Sequence, residues 1–440
     1  MAGSTNRWAF RWLRAQLPEL IAAGAISSEN AKAIERHYES AQSRSNFGFV
    51  LLAIVGSALV GAGIILLVAH NWDELSRTAR STIAFLPLVV SQALCFFVLQ
   101  RRSESQPWRE SVAIFNVAAV GTAISLISQT YQIQGTFASF MQVWLLLSIP
   151  IVYLLGTTFG AVVYLVGAVV WLFARESWFG QMLSPNLFWL FLLLILPYYM
   201  FRFRQDRNGR ETARLSILLA LAAAIGIGIS AEFTRTNLGS LALAGLFTVV
   251  YLSGIRFFPK EGDRLHPLAF LGGFGIGVIA IVLSYESAWH FSSPVQWRSF
   301  GLSGNVAVGI ELLFPLVAVV LALSEILRRG TARVSVMACA LPVLAAIAWA
   351  IADFSPASSF LAAFLFDVYA FALGVEILVR GIRANSIARA NFGLLVIAAL
   401  AISRFFDTDL SFVIRGVGFI IVGVGFLVAN VIFFKKRAIA

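Results

Sequence analysis

About fourteen apolar stretches follow one another from Phe47 to Phe434, and Lys and Arg fall almost wholly into alternate gaps between them. A stretch of ~20 apolar residues matches the ~30 Å hydrocarbon core of a bilayer. In hydrocarbon every backbone N–H and C=O must be bonded within the protein, which a single run of this length achieves as a helix. With 59% hydrophobic residues over 440 positions, the chain is expected to be an all-α integral membrane protein. The runs lie near 47–69, 81–99, 112–128, 142–155, 159–173, 186–201, 215–230, 239–255, 266–283, 307–327, 334–351, 360–379, 390–402 and 413–434. The fourth, fifth and thirteenth are short. Residues 142–173 therefore fit either two spans or one broken, re-entrant element.

The basic residues test that count independently, because cytoplasmic loops keep Lys and Arg while translocated loops shed them. With the N-terminus inside, 26 of the 33 basic residues fall in inside segments and 7 outside, and the alternation lapses only at the empty gap around Gly156. This favours fourteen spans with both termini cytoplasmic. The net charge of +11 is then a topology signal that also attracts anionic inner-leaflet lipid, and no nucleic-acid partner is expected. Cys95 and Cys339 lie inside spans without CxxC or Cys/His spacing, so neither a disulfide nor a zinc site is expected. The four histidines are scattered between the two sides, which predicts no shared metal site, and no cofactor is expected. No short apolar core with a small-residue cleavage site precedes the first span; that span is expected to serve as the uncleaved membrane signal.

Residues 1–46 form the largest segment outside the membrane. Phe10, Leu13, Leu17, Leu20 and Ile21 recur at helical spacing. Gly24 can take the left-handed conformation that stops a helix, and Ser27 can cap a second one with Glu29 in its first turn. Ala31, Ile34 and Tyr38 share a face of that second helix. The pattern predicts a cytoplasmic amphipathic hairpin, too small to hold a core alone. It is expected to lie on the membrane surface, on cytoplasmic loops, on another copy or on a membrane partner. Residues 47–434 are the polytopic bundle, and 435–440 a basic cytoplasmic tail.

Several motifs carry a resemblance. The run Leu-Pro-Glu-Leu-Ile-Ala-Ala-Gly-Ala-Ile-Ser at 17–27 leads to His37-Tyr38-Glu39, and the Gly-rich first span ends Val68-Ala69-His70-Asn71-Trp72-Asp73. Ser128-Gln129-Thr130-Tyr131 closes the third span, with Trp144 following. Over about residues 10–175 the chain resembles a bacterial multi-pass membrane family filed as domain of unknown function two-one-five-seven. Members usually read Ala-Asn-Trp where this chain has His70-Asn71-Trp72. The closing stretch from Arg404-Phe405-Phe406-Asp407 to Arg415-Gly416 is similar to the ends of related multi-pass families. The resemblance implies a bacterial inner-membrane protein with no cofactor or catalytic residue to carry over.

Polar residues within apolar spans are costly and persist only with a partner, water or a task. Asp367 lies about eight residues, roughly 12 Å, into its span. Glu311 sits near the same outer depth, and Arg404 and Arg415 lie at the outer ends of the last two spans. These four suit proton coupling or anion recognition, or else a buried structural ion pair. Glu325 and Glu376, with Arg328, Arg329 and Arg380 three or four residues on, read as helix-end pairs. A second, outer-face cluster comprises Asn71, Trp72 and Asp73 with Gln129, Tyr131 and Trp144, which fit either a vestibule for a small polar ligand or an interfacial aromatic belt. Glycines such as Gly273 and Gly277 read as helix-packing positions. No nucleotide loop, nucleophile elbow or zinc-protease motif is present, and no catalytic residue is assigned. Three classes stay open: a secondary transporter or lipid or envelope-precursor carrier, a membrane scaffold or envelope-stress assembly protein, and, with least support, an intramembrane enzyme.

Overall fold

The computed structural model describes residues 16–32, 34, 72–174, 186–234, 238–258, 266–290, 302–330, 335–354, 358–384 and 386–405, with scattered positions between 413 and 425. The chain divides into two units, Met1–Arg80 and Ser81–Ala440.

In the first unit residues 16–22 are helical and stop at Gly24, whose φ is +68°. The Ser27 hydroxyl accepts from the Asn30 N–H at 3.1 Å and opens a second helical stretch at 28–32. Most of the expected hairpin, Phe10, Leu13 and Tyr38 included, lies outside the described residues, as does the first apolar run. Farther on, a 3-10 turn spans Trp72–Glu74, and Ser76 Oγ accepts from Ala79 N at 3.2 Å to cap the helix that follows.

Among the described residues twelve long helices follow: α1 Arg77–Arg101, α2 Gln106–Thr130, α3 Phe137–Leu155, α4 Thr158–Ala174, α5 Asn186–Gln205, α6 Arg210–Thr234, α7 Leu238–Phe257, α8 Pro267–Leu283, α9 Leu302–Arg329, α10 Val336–Phe354, α11 Ser359–Arg383 and α12 Ile387–Phe405. A one-turn helix, Ser287–His290, follows α8. Among the described residues nine helices are long and apolar enough to cross a membrane, and three shorter apolar ones are Thr158–Ala174, Pro267–Leu283 and Val336–Ala352. They coincide with the second to thirteenth apolar runs; the last run lies outside the described residues save isolated positions. Several helices outrun their apolar stretch. α3 begins at Phe137 because Thr136 Oγ accepts from Ser139 N at 3.2 Å, so backbone capping rather than hydropathy sets that end.

Residues 142–173 form two helices. α3 stops at Gly156, held at φ +59°, and α4 starts at Thr158 after a two-residue turn. A left-handed residue at this position stops a helix and favours glycine.

Side chains sort inside out relative to a soluble protein. Leu316 and Val320 on α9 are each 65% exposed, an apolar outer face that suits hydrocarbon as solvent. Inside, α1–α6 share one core filled by Trp171, Phe188 and Phe191, and Trp171 meets Phe191 edge-on at 5.2 Å between ring centroids. α7–α12 share a second core around Phe366 and Tyr369. Residues of α6, α7 and α8, including Ile227, Leu246 and Leu268, join the two. α7 and α8 pack so closely that a Cβ on Gly272 would stand 2.6 Å from Tyr251 Cα. Without a hydrophobic drive between helices in lipid, such small-residue contact is a main source of association.

Candidate functional site

Asp367 and Arg404 meet. On the third turn of α11 the Asp367 carboxylate accepts from Arg404 Nε at 2.9 Å and pairs with Nη2 at 2.8 Å. Arg404 stands in the last turn of α12. Its guanidinium also donates to the Ser284 carbonyl and lies 5.2 Å from the Tyr285 ring centroid. Ser284 follows the last residue of α8, so the cation sits against two helix C-termini, where the helix dipoles favour positive charge. The Tyr285 hydroxyl donates to the Ser403 carbonyl at 3.2 Å, which fixes the ring beneath the guanidinium. One level outward, Ser359 Oγ donates to Glu286 at 3.1 Å. The pair is not sealed: the Arg404 and Asp367 side chains keep 21% and 30% of their exposure.

Glu311 is wholly buried on α9, and Arg415 lies outside the described residues. The sequence brings out Asp367 and Arg404 but not Ser284, Tyr285 or Ser403. Those contribute carbonyls and an aromatic face at helix ends, for which residue type gives no signal.

In the second expected cluster, Asn71 and the side chain of Asp73 lie outside the described residues. Trp72 is buried in its 3-10 turn with the Arg80 guanidinium 5.8 Å from its ring centroid. Gln129 and Tyr131 close α2 and both are exposed, and the Tyr131 hydroxyl accepts from Ser81 Oγ at 3.2 Å. Trp144 lies about two turns into α3. Its indole N–H donates to the Val117 carbonyl at 2.8 Å, and the ring packs against Gly121 of α2 and Gly167 of α4. The structure thus places Trp144 in the helix interface, because the two glycines leave room for an indole that an ordinary span would exclude.

Two further polar networks tie helix ends together, the first of which the sequence did not single out. At the α3–α4 turn, Glu110 of α2 accepts from the backbone N–H groups of Thr158 and Phe159 at 2.9 and 3.0 Å. Beside it Glu211 of α6 accepts from Thr158 Oγ1 at 2.8 Å and Gln106 at 2.6 Å, and pairs with Arg202 of α5. Arg109 stands 3.4 Å from where a Cβ on Gly156 would be. Neighbouring helices therefore bring arginines to the gap around Gly156, which has none of its own. In the second half, Glu376 of α11 accepts from Val336 N, Met337 N and Ser335 Oγ at the start of α10 and pairs with Arg380 at 2.8 Å. Glu325 is fully buried and pairs with Arg329 at 2.8 Å and with Arg256 of α7 at 3.3 Å. It is more than a helix-end pair, since it joins α9 to α7. These contacts gather ends that the basic-residue count assigns to one face.

Fold and site together define an all-α membrane protein with nine helices, among the described residues, long and apolar enough to cross a bilayer. A family model described as a predicted membrane protein (DUF2157) matches residues 18–161, the region of the His70-Asn71-Trp72 and Gln129 to Tyr131 motifs. Comparison with curated proteins and with solved structures gives no match.

Proposed function

We propose that the chain is a carrier of the bacterial inner membrane, moving a small anion or the charged head of a lipid-like envelope precursor, with Asp367–Arg404 as its charge-bearing site. The observation that carries this reading is a partly accessible ion pair about 12 Å into a helix surrounded by apolar side chains. A structural pair at that depth is best sealed, since an uncompensated charge there costs on the order of 3 kcal/mol. An open pair can exchange partners. An incoming anion takes the Arg404 guanidinium, and Asp367, released, is neutralised by a proton.

The test uses proteoliposomes holding fluorescently labelled phosphatidylglycerol, with bleaching of label that reaches the outer leaflet. Wild-type protein is expected to move label faster at a pH gradient, and Asp367→Asn to stop the movement while inserting and purifying normally. Movement no faster than in protein-free liposomes, with Asp367→Asn only lowering detergent stability, leaves the pair structural. That result favours the second reading, a membrane scaffold, which draws support from the solid aromatic core around Trp171 and Phe191. Association through residues 1–46 with a second copy or a membrane partner is a part of that second reading.

A further inference from the structure

On the outside of the bundle α3 and α5 enclose an open groove of about 600 Å³, within the ~300–1,000 Å³ typical of ligand sites. Ile149, Pro150 and Tyr153 form one wall and Leu193, Leu194 and Pro197 the other. The walls are apolar apart from the Tyr153 hydroxyl, and that hydroxyl donates to the Leu194 carbonyl. Its occupant must therefore be hydrocarbon at this level.

The groove also has a charged end. Arg204 lies seven residues beyond Pro197, about 10 Å along the helix axis and within roughly 20° of the same face at ~100° per residue. The exposed Phe201 continues that face between them. Arg204 is exposed and forms no ion pair among the described residues, whereas Arg202, two positions earlier, is tied to Glu211. Both belong to the basic segment Arg202–Arg214 that closes α5 and opens α6, where a bilayer surface places phosphates.

We propose that the α3–α5 groove is a binding site for one anionic phospholipid, with an acyl chain along Pro150, Leu193 and Pro197 and the phosphate on Arg204. The occupant follows from charge complementarity: an open apolar groove with one exposed guanidinium a helical turn or two beyond it matches a chain ending in one negative headgroup. A zwitterionic lipid fills the same slot without an equal hold at Arg204. The site is separate from Asp367–Arg404, and a lipid held here requires no transport.

The experiment is lipid titration of the delipidated full-length protein in detergent, read by native mass spectrometry and by thermal unfolding. Dioleoyl phosphatidylglycerol is expected to bind with saturation and raise the melting temperature more than dioleoyl phosphatidylcholine. Arg204→Gln should weaken phosphatidylglycerol about fivefold, the effect of one cation at a lipid surface, and leave phosphatidylcholine unchanged. Leu193→Trp, at an exposed position that folding tolerates, should fill the slot and weaken both lipids. Equal binding of the two lipids by wild type, or Arg204→Gln binding phosphatidylglycerol as wild type does, overturns the proposal. So does a lipid-independent dimer that Leu193→Trp converts to monomer, since the groove then receives a helix of a second copy.

Discussion

Removing the Glu110 carboxylate tests how the α3–α4 turn is held. Helix α4 begins inside the bundle with orphan N–H groups, and two of them, on Thr158 and Phe159, end on Glu110 at 2.9 and 3.0 Å. Thr157 directly precedes α4 and is the residue that would ordinarily cap it, yet its buried Oγ1 has no hydrogen-bond partner among the described residues. The cap thus comes from another helix. Hydrogen bonds to a charged group contribute about 1.5–3 kcal/mol each, and favourable interaction with the helix dipole adds up to ~1 kcal/mol. Solvent reaching Phe159 halves the value of the second bond, which leaves about 3 kcal/mol at risk in Glu110→Ala. Rotation of Thr157 into a cap recovers roughly 1 kcal/mol, so the net loss is about 2 kcal/mol. The assay is thermal unfolding in detergent, with Glu104→Ala at an exposed position as control. Thr157→Ala alone should be nearly silent, since its hydroxyl bonds nothing among the described residues. In the Glu110→Ala background it should cost ~1 kcal/mol more. Glu110→Ala unfolding with the control, or Thr157→Ala as damaging alone as in combination, refutes the cross-helix cap.

Three further outcomes are expected. Gly272→Ala should destabilise by more than ~2 kcal/mol and lower purified yield, because a new Cβ meets Tyr251 backbone and forces α7 from α8; Gly228→Ala, with nothing within 4 Å, should be neutral or slightly stabilising on the same unfolding curve. Gly156→Ala should cost about 1–2 kcal/mol from its left-handed backbone alone, since the nearest atom, Arg109 Nη1 at 3.4 Å, is in ordinary contact; Gly156→Asn should recover part of this, and a neutral Gly156→Ala contradicts the turn. Reporter fusions after Ala440 and within 206–209 should both give the cytoplasmic phenotype, and a periplasmic signal from either breaks the fourteen-span, both-ends-inside topology.

What the sequence determined by itself was the solvent and the element type. Length, hydropathy and backbone hydrogen-bond demand all act along one run of chain, so a stretch such as 215–230 declares a helix without its neighbours, and α6 lies there. Capping is equally local, which is why Gly24 and Ser27 do what their residue types promise. Asp367 stood out for the same reason: a lone carboxylate deep in an apolar run is legible wherever its partner lies. Tertiary structure decided the partners. That Arg404 of α12 pairs with Asp367 of α11, that Glu110 rather than Thr157 caps α4, and that Glu325 bridges α9 to α7 depend on which helices pack side by side. In lipid that choice rests on small-residue contacts such as Gly272 against Tyr251 and on pockets such as the one Gly121 and Gly167 leave for Trp144. A local sequence cannot state these complementarities, because each is a property of two surfaces brought together by the fold.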